Sequence, residues 1–355
     1  MICQFSFGYY SVGMKKSIYN ILEVESFLEA AGFGHKELRR ARRMLYREFV
    51  RPEDMPWEDS IKKSFLENFQ TSYLTLVKRA DSKIDGASKL LFETEDGKNI
   101  ETVILRIESG RTSICLSSQV GCTEQCKFCA TGEMGFFRNL RYEEIIDQLV
   151  QASRILLEEE RKIRNIVFMG MGEPLRNFDN LSLALEMLLN GRTFQFAHKF
   201  ITVSSLGLPE LIIKFANKYP QVGLALSVNA SNNKSRSSIM PINDKYPMED
   251  LRKMIVELEE IRDSGVMIEY IMFEDINDKA EHADELASFL EGLDVHINLI
   301  PYNPDYSLDK SFTPSSKEVV EAFQNRLKEA GYKVTRRFSL GQDIAAACGQ
   351  LANKA

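Results

Sequence analysis

The densest chemistry in the chain is Cys122-Thr-Glu-Gln-Cys126-Lys-Phe-Cys129, three thiols at C-x₃-C-x₂-C spacing that run into Ala130-Thr131-Gly132. A turn this tight brings three sulfurs to one small inorganic centre. It offers no fourth ligand, because no other cysteine lies close beyond it in the chain. Structural zinc takes four protein ligands, usually from two separated C-x₂-C pairs, and fully protein-ligated iron–sulfur clusters take four cysteines. Three ligands point instead to a cubane cluster with one iron left open for a small molecule. A Cys₃His zinc site and plain buried thiols are the competing readings.

Other residue types suit the ligand of such an iron. Gly170-Met-Gly-Glu-Pro174 lets backbone approach a small molecule closely, and Glu173 can accept hydrogen bonds from an ammonium group. Ser204, Ser227, Asn229 and Asn303 are short polar groups that suit a ribose or a carboxylate, although each equally suits a turn or a helix N-cap. Cys115 stands on the strand leading into the cysteine loop and is expected at the barrel mouth. Cys348, alone before a glycine near the end of the sequence, reads by itself as inert. Glu101 sits among β-branched neighbours, where ordinary exposure is the commoner case, and Cys3 looks incidental.

Strand–loop–helix alternation must position these residues. Strands are expected over Ser113–Ser117, Asn165–Met169, Phe200–Ser204, Val222–Ser227, Met267–Met272 and Val295–Ile300, six β/α units with amphipathic helices between them. All-parallel strands wrapped by helices predict a partial TIM-like (β/α)₆ barrel, whose chemistry belongs at the C-terminal ends of the strands. The cysteine loop, Gly170–Pro174, Ser204–Gly207, Ser227–Ala230 and Pro301–Pro304 all follow strands. Lys89–Thr94 and Ile100–Arg106 flank an Asp-Gly turn and read as a hairpin. The expected division is an N-terminal helical accessory domain over 1–80, a hairpin extension over 81–110, the barrel over 111–305 and a C-terminal extension over 306–355. In the first of these, His35–Arg51 reads as a helix with Leu38, Ala41, Leu45 and Phe49 on one stripe. Its other positions carry Lys36, Arg39, Arg40, Arg42, Arg43 and Arg47, suited either to a phosphate backbone or to plain solvation.

Composition sets the outer limits. The 355 residues are 44% hydrophobic and 27% charged, with a net charge of −6, so any nucleic-acid contact needs a local basic patch. No apolar run approaches the length of a membrane span. The first residues lack the pattern of a secretory signal, and Met14 is a second candidate start. Clustered cysteines are ligand-like and fit a reducing, cytoplasmic setting.

The cysteine spacing, with Phe128 before the last thiol, resembles the signature of the radical S-adenosylmethionine (SAM) superfamily. Within it, the chain resembles the RlmN/Cfr family of RNA adenosine methyltransferases. The matching segments are Cys115-Leu-Ser-Ser-Gln-Val-Gly-Cys122, Gly135-Phe-Phe-Arg-Asn-Leu140, Phe168-Met-Gly-Met-Gly-Glu-Pro-Leu175, Met240–Pro247, Asn298–Pro304 and Ala347-Cys-Gly-Gln-Leu351. Val120, where Cfr proteins carry a cysteine, and Pro174, where they tend to have alanine, place it nearer the RlmN type. The resemblance implies a 4Fe–4S cluster on Cys122, Cys126 and Cys129, and SAM contacts at Gly172, Glu173, Ser204, Ser227, Val228, Asn229 and Asn303. It implies that Cys348 takes a methyl from one SAM and that a second SAM is cleaved to a radical that activates this S-methyl group. Cys115 then resolves the protein–RNA adduct, and Glu101 is the proton acceptor. The implied product is adenosine methylated at carbon 2 in 23S rRNA, with tRNA as a further substrate and a flavodoxin-like reductant as partner of a monomeric enzyme. Cfr-type carbon-8 methylation, a paralogue with another RNA target and a non-methylating RNA-binding protein are the alternatives. Ser227-Val-Asn-Ala stands for the usual Ser-Leu-His-Ala, Ala345 for the usual Asp, and Phe338–Gln342 differs from the usual charged run. These departures bear on substrate identity more than on reaction class.

Overall fold

A computed structural model describes residues 15–304, 312–337 and 339–352. Cys3, Met1, Met14 and Phe338 therefore lie outside the described residues. The N-terminal part holds helices α1 (Ile21–Ala30), α2 (His35–Tyr46) and α3 (Asp59–Asn68). Helix α1 has no counterpart in the elements expected from sequence, although Asn20 caps it by accepting from the Glu23 amide.

Ten strands form one sheet: β1 (Leu74–Asp81), β2 (Ala87–Thr94), β3 (Asn99–Arg106), β4 (Thr112–Cys115), β5 (Asn165–Phe168), β6 (Ile201–Ser205), β7 (Gly223–Ser227), β8 (Val266–Met272), β9 (Val295–Pro301) and β10 (Lys333–Arg336). Each strand pairs with its predecessor, so spatial order follows chain order. From β4 to β10 the pairing is parallel. From β1 to β4 it is antiparallel. The hairpin thus continues the barrel sheet through β3–β4 pairing. Strand β1, unread in the sequence, is an edge strand exposed along most of its length. Lys78 and Arg79 there break any apolar alternation, as edge strands commonly do.

Parallel strands need crossovers, and these are α4 (Tyr142–Glu158), α5 (Phe178–Leu189), α6 (Pro209–Lys218), α7 (Asn233–Ile239), α8 (Met248–Ile261), α9 (Ala280–Phe289) and α10 (Lys317–Glu329). Period-two alternation divides the strand residues. Ile114, Ile166, Phe168, Ile201, Val203, Leu224, Leu226, Ile268, Ile297 and Leu299 are buried in the hydrophobic core. The alternate positions Ser113, Cys115, Val167, Met169, Thr202, Met267, Glu269 and Asn298 line a cavity instead.

Buried polar groups on α4 fix the attachments. Asp147 accepts from the Tyr19 hydroxyl at 2.6 Å, the Tyr73 amide at 2.8 Å and the Leu74 amide at 2.9 Å, which ties the N-terminal helices and the start of β1 to the barrel. Gln148 accepts from the Thr102 hydroxyl and the Ser117 amide and donates to the Ser117 carbonyl. It thereby holds β3 to the segment entering the cysteine loop.

Candidate active site

The site is a pair of adjoining cavities at the strand ends. The smaller is lined by Cys122, Cys126 and Cys129 with Gly170, Gly172, Glu173, Ser204, Ser227 and Asn229. The larger, about 580 Å³, is lined by Cys115, Cys348, Met169, Arg111, Arg336 and Asn298 among others. Cys129, Glu269, Arg337 and Cys348 belong to both walls.

The cysteine loop is held from several directions. Lys127 donates its backbone amide to the Ile239 carbonyl at the end of α7, and Ala130 donates to the Gly349 carbonyl. Beside the loop lies Arg236, fully buried. It donates to the Val228 and Leu206 carbonyls and to Asn243, so one guanidinium joins two of the strand-end loops. Burial pulls Arg236 down to about 10, opposed by Cys126 nearby. Sequence reading missed this residue, because an arginine among small polar residues carries no signal of burial.

Burial pushes the Cys122 thiol up to about 12 and raises Cys126 well above the usual thiol value. Both are therefore neutral in the protein alone. Among the described residues no three Cys, His, Asp or Glu side chains are drawn into a ready ligand set. Three thiols on one cavity wall beside open space fit a three-ligand cluster with a free iron.

Gly172 has φ +97°, and a Cβ there would fall 2.5 Å from the Gln119 side chain, so the turn before Glu173 needs glycine. Glu173 is buried and accepts from the Leu175 and Leu206 amides. Burial pushes its carboxyl up to about 7, with those amides opposing. Ser204 and Ser227 bring their hydroxyls within 3.5 Å of each other.

Other expected contacts are engaged by the protein itself. Asn229 has φ +57°, a backbone state that asparagine tolerates well. Its side chain accepts from the Ile271 amide and donates to the Met240 sulfur. Val228 is fully buried and lines neither cavity. Asn303 also lies off both walls; its amide accepts from Gln342 and donates to Ser339, so it anchors the C-terminal segment.

That segment covers the cysteine loop. Thr131 donates its hydroxyl to the Leu351 carbonyl at 2.6 Å, and Gln350 donates to the Pro304 carbonyl at 2.9 Å. Glu101 is fully buried and pairs with Lys89 at 3.0 Å. Its other oxygen accepts from the Ala352 amide, while Lys89 donates to the Ala345 carbonyl. Glu101 lines neither cavity and acts here as an anchor for the tail.

Two distant thiols thereby meet. Cys115 is pushed up to about 12 by burial first and by the neighbouring Cys348 second, with Arg337 opposing. Arg337 is itself raised by Cys348, against burial, and donates to the Met169 sulfur. Glu269 and Arg337 were not singled out in the sequence; the alternation within β8 was the available signal for the first.

In the N-terminal part, half of the basic side chains singled out on α2 and just after it are engaged by other residues of the protein. Arg42 pairs with Glu25, Arg43 with Glu48, and Arg47 donates to the Gly191 and Thr193 carbonyls. Lys36, Arg39 and Arg40 are exposed. No helix among the described residues is long and apolar enough to cross a membrane.

Comparison with known proteins gives a consistent picture. A model of the radical SAM superfamily matches residues 116–290. A probable RNA methyltransferase of Rhodopirellula baltica is 47% identical over 80% of this chain and 75% of its own. The probable dual-specificity RNA methyltransferase RlmN of Bacillus thuringiensis is 37% identical over 96% of this chain and 94% of its own. A radical SAM methyltransferase from Sphaerobacter thermophilus superposes with a TM-score of 0.89 at 36% identity, covering 95% of this chain and 99% of that one.

Proposed function

The chain belongs to the RlmN family of radical SAM RNA methyltransferases, and on that premise we propose that it methylates carbon 2 of an adenosine in 23S rRNA and in tRNA. Membership carries RNA methylation, a 4Fe–4S cluster and SAM with it. The observation that carries the finer reading is the shared cavity wall of Cys115 and Cys348, beside the cysteine loop. Carbon 2 of adenine is an electron-poor amidine position, unsuited to direct attack on a sulfonium methyl. A methyl first parked on a protein thiol and a second thiol to release the product answer that difficulty, and two cysteines lining one cavity serve both needs.

Cys122, Cys126 and Cys129 would hold the cluster, and with bound SAM it supplies the one-electron chemistry when a reduced flavodoxin-type donor feeds it. The protein's own residues do the rest. Glu173 accepts the SAM ammonium, while Ser204 and Ser227 offer hydroxyls to its polar groups. Cys348 accepts a methyl group as a thiolate, displacing a neutral thioether from the sulfonium. Cys115 later attacks the Cys348 sulfur, forming a disulfide as the bond from that sulfur to the product breaks. The Lys89–Glu101 pair keeps the tail over the loop during these steps. Arg111 and Arg336 at the larger cavity supply positive charge for the phosphates flanking the target nucleotide. A cytoplasmic location follows from the need for reduced thiols and RNA substrates.

Mass spectrometry of rRNA and tRNA nucleosides after reaction with the reconstituted enzyme, SAM and a reductant tests this reading. The expected product is 2-methyladenosine. The 8-methyl isomer would reassign the carbon, and unmodified RNA would remove the proposal.

A further inference from the structure

We propose that Glu269 is a nucleoside-binding residue at the junction of the two cavities, its Oε1 accepting a hydrogen bond from an N–H or O–H donor of a bound adenosine group. The inference rests on the reading that both SAM and the target nucleotide enter here, and both carry adenosine.

Glu269 lines both cavities and is only 4% exposed. Its Oε2 accepts from the Asn298 amide at 2.9 Å. Its Oε1 is buried and has no hydrogen-bond partner among the described residues. A buried carboxylate oxygen left without a donor costs free energy, and native proteins rarely tolerate it without a use. Burial accordingly lifts Glu269 above the usual carboxylate range, with Arg337 and Asn298 opposing.

The arrangement is a built one. Ser227, Glu269, Asn298 and Thr335 are register partners across β7, β8, β9 and β10. Thr335 donates to the Asn298 carbonyl oxygen at 3.1 Å, and its own hydroxyl lies 2.9 Å from His296 Nε2. With its carbonyl taken, Asn298 can offer only N–H to Glu269. One carboxylate oxygen is thus fixed by the protein, and the other is left for a ligand.

Two adenosine groups present suitable donors: the ribose hydroxyls of SAM and the exocyclic amino group of the target adenine. In adenine, carbon 2 and the amino-bearing carbon flank the same ring nitrogen. An acceptor holding the amino group therefore leaves carbon 2 directed to one side of it. A guanine would place a carbonyl at that point, against an acceptor-only group.

The test is Glu269→Gln, which keeps the volume and inverts the polarity. The fixed N–H of Asn298 takes the new amide carbonyl, so an NH₂ faces the cavity and meets the ligand donor with a donor. SAM affinity of the cluster-loaded enzyme is measured by equilibrium dialysis, which needs no turnover. Methylation is then compared on two RNA oligonucleotides, one with adenosine and one with purine riboside at the target. A loss of SAM affinity of about tenfold or more assigns the donor to SAM. Unchanged SAM affinity, with the wild-type preference for adenosine over purine riboside abolished, assigns it to the RNA base. Unchanged SAM affinity together with an intact preference overturns the proposal. Should the variant fail to fold, ligand changes in the wild-type enzyme serve. Equal binding of 2′- and 3′-deoxyribose SAM analogues, together with equal methylation of both RNAs, also overturns it. Failure of the methylation reading itself shows separately, as no product on the adenosine RNA with wild-type enzyme.

Discussion

The backbone amide of Ala130, directly after the third cysteine of the loop, donates to the carbonyl of Gly349, directly after Cys348, at 2.7 Å. The loop that would hold the cluster and the tail that bears Cys348 are therefore one hydrogen-bonded unit. Thr131 strengthens it through the Leu351 carbonyl. Replacing Thr131 with Val keeps the shape and removes that donor. The expected effects are a stability loss of about 1–2 kcal/mol, faster hydrogen exchange over 345–351 and slower methylation. Unchanged exchange there would mean that the tail is held by other contacts.

The two thiols have separate expected phenotypes. Cys348→Ala abolishes RNA methylation while the cluster's visible absorbance remains. Cys115→Ala traps an RNA adduct, seen as a protein band that shifts on nuclease treatment. A methylating Cys348→Ala enzyme, or no adduct with Cys115→Ala, would remove the role assigned to that sulfur.

Glu173 gives a pH prediction whose sign follows from its raised pKa. Below about 7 the carboxyl holds its proton in the folded protein, so an ammonium ligand must displace it. SAM binding is expected to tighten as pH rises from 6 to 8 and then level off, and Glu173→Gln flattens this dependence. In the protein without cluster or SAM, the folded state binds more protons at Glu173 than the unfolded state between the ordinary carboxylate value and about 7. Stability from this group is therefore present at low pH and falls as pH rises through that window. The difference in melting temperature between wild type and Glu173→Gln, followed from pH 4 to 8, reads it directly.

Asp147 is the predicted weak point of the N-terminal attachment. Asp147→Ala leaves the Tyr19 hydroxyl and the Tyr73 and Leu74 amides without their acceptor. A loss of about 3 kcal/mol in urea unfolding is expected, with earlier proteolysis ahead of β1. An unaffected unfolding midpoint would show that water replaces the carboxylate.

RNA binding separates two basic regions. Arg111→Ala combined with Arg336→Ala is expected to weaken binding strongly. Arg39→Ala combined with Arg40→Ala is expected to weaken it less. In each case the salt slope should fall by roughly 0.7–0.9 for every phosphate that is no longer neutralised. No change in the second pair would leave α2 a solvated face.

Much of this protein was legible in its sequence because the signals were local. The parallel strands and their helices follow from short-range periodicity, and the cluster motif from spacing within eight residues, Cys122–Cys129. Strand β1 and Arg236 were not legible, since edge exposure and burial are decided by what packs alongside. Asn229 shows the difference well. The sequence marked it as an unusual residue at a ligand position, whereas the fold commits its amide to Ile271 and Met240 and its backbone to positive φ. Residue type and spacing by themselves determined which groups can do chemistry and in what class of barrel. Only the tertiary structure decided which of them meet: Cys115 and Cys348 are separated by most of the barrel in sequence, and hydrogen bonds donated by the loop and Lys89 and accepted by Glu101 bring the tail back over the strand ends. Long-range closure of this kind depends on complementary partners at both ends, and no local pattern in the chain encodes that.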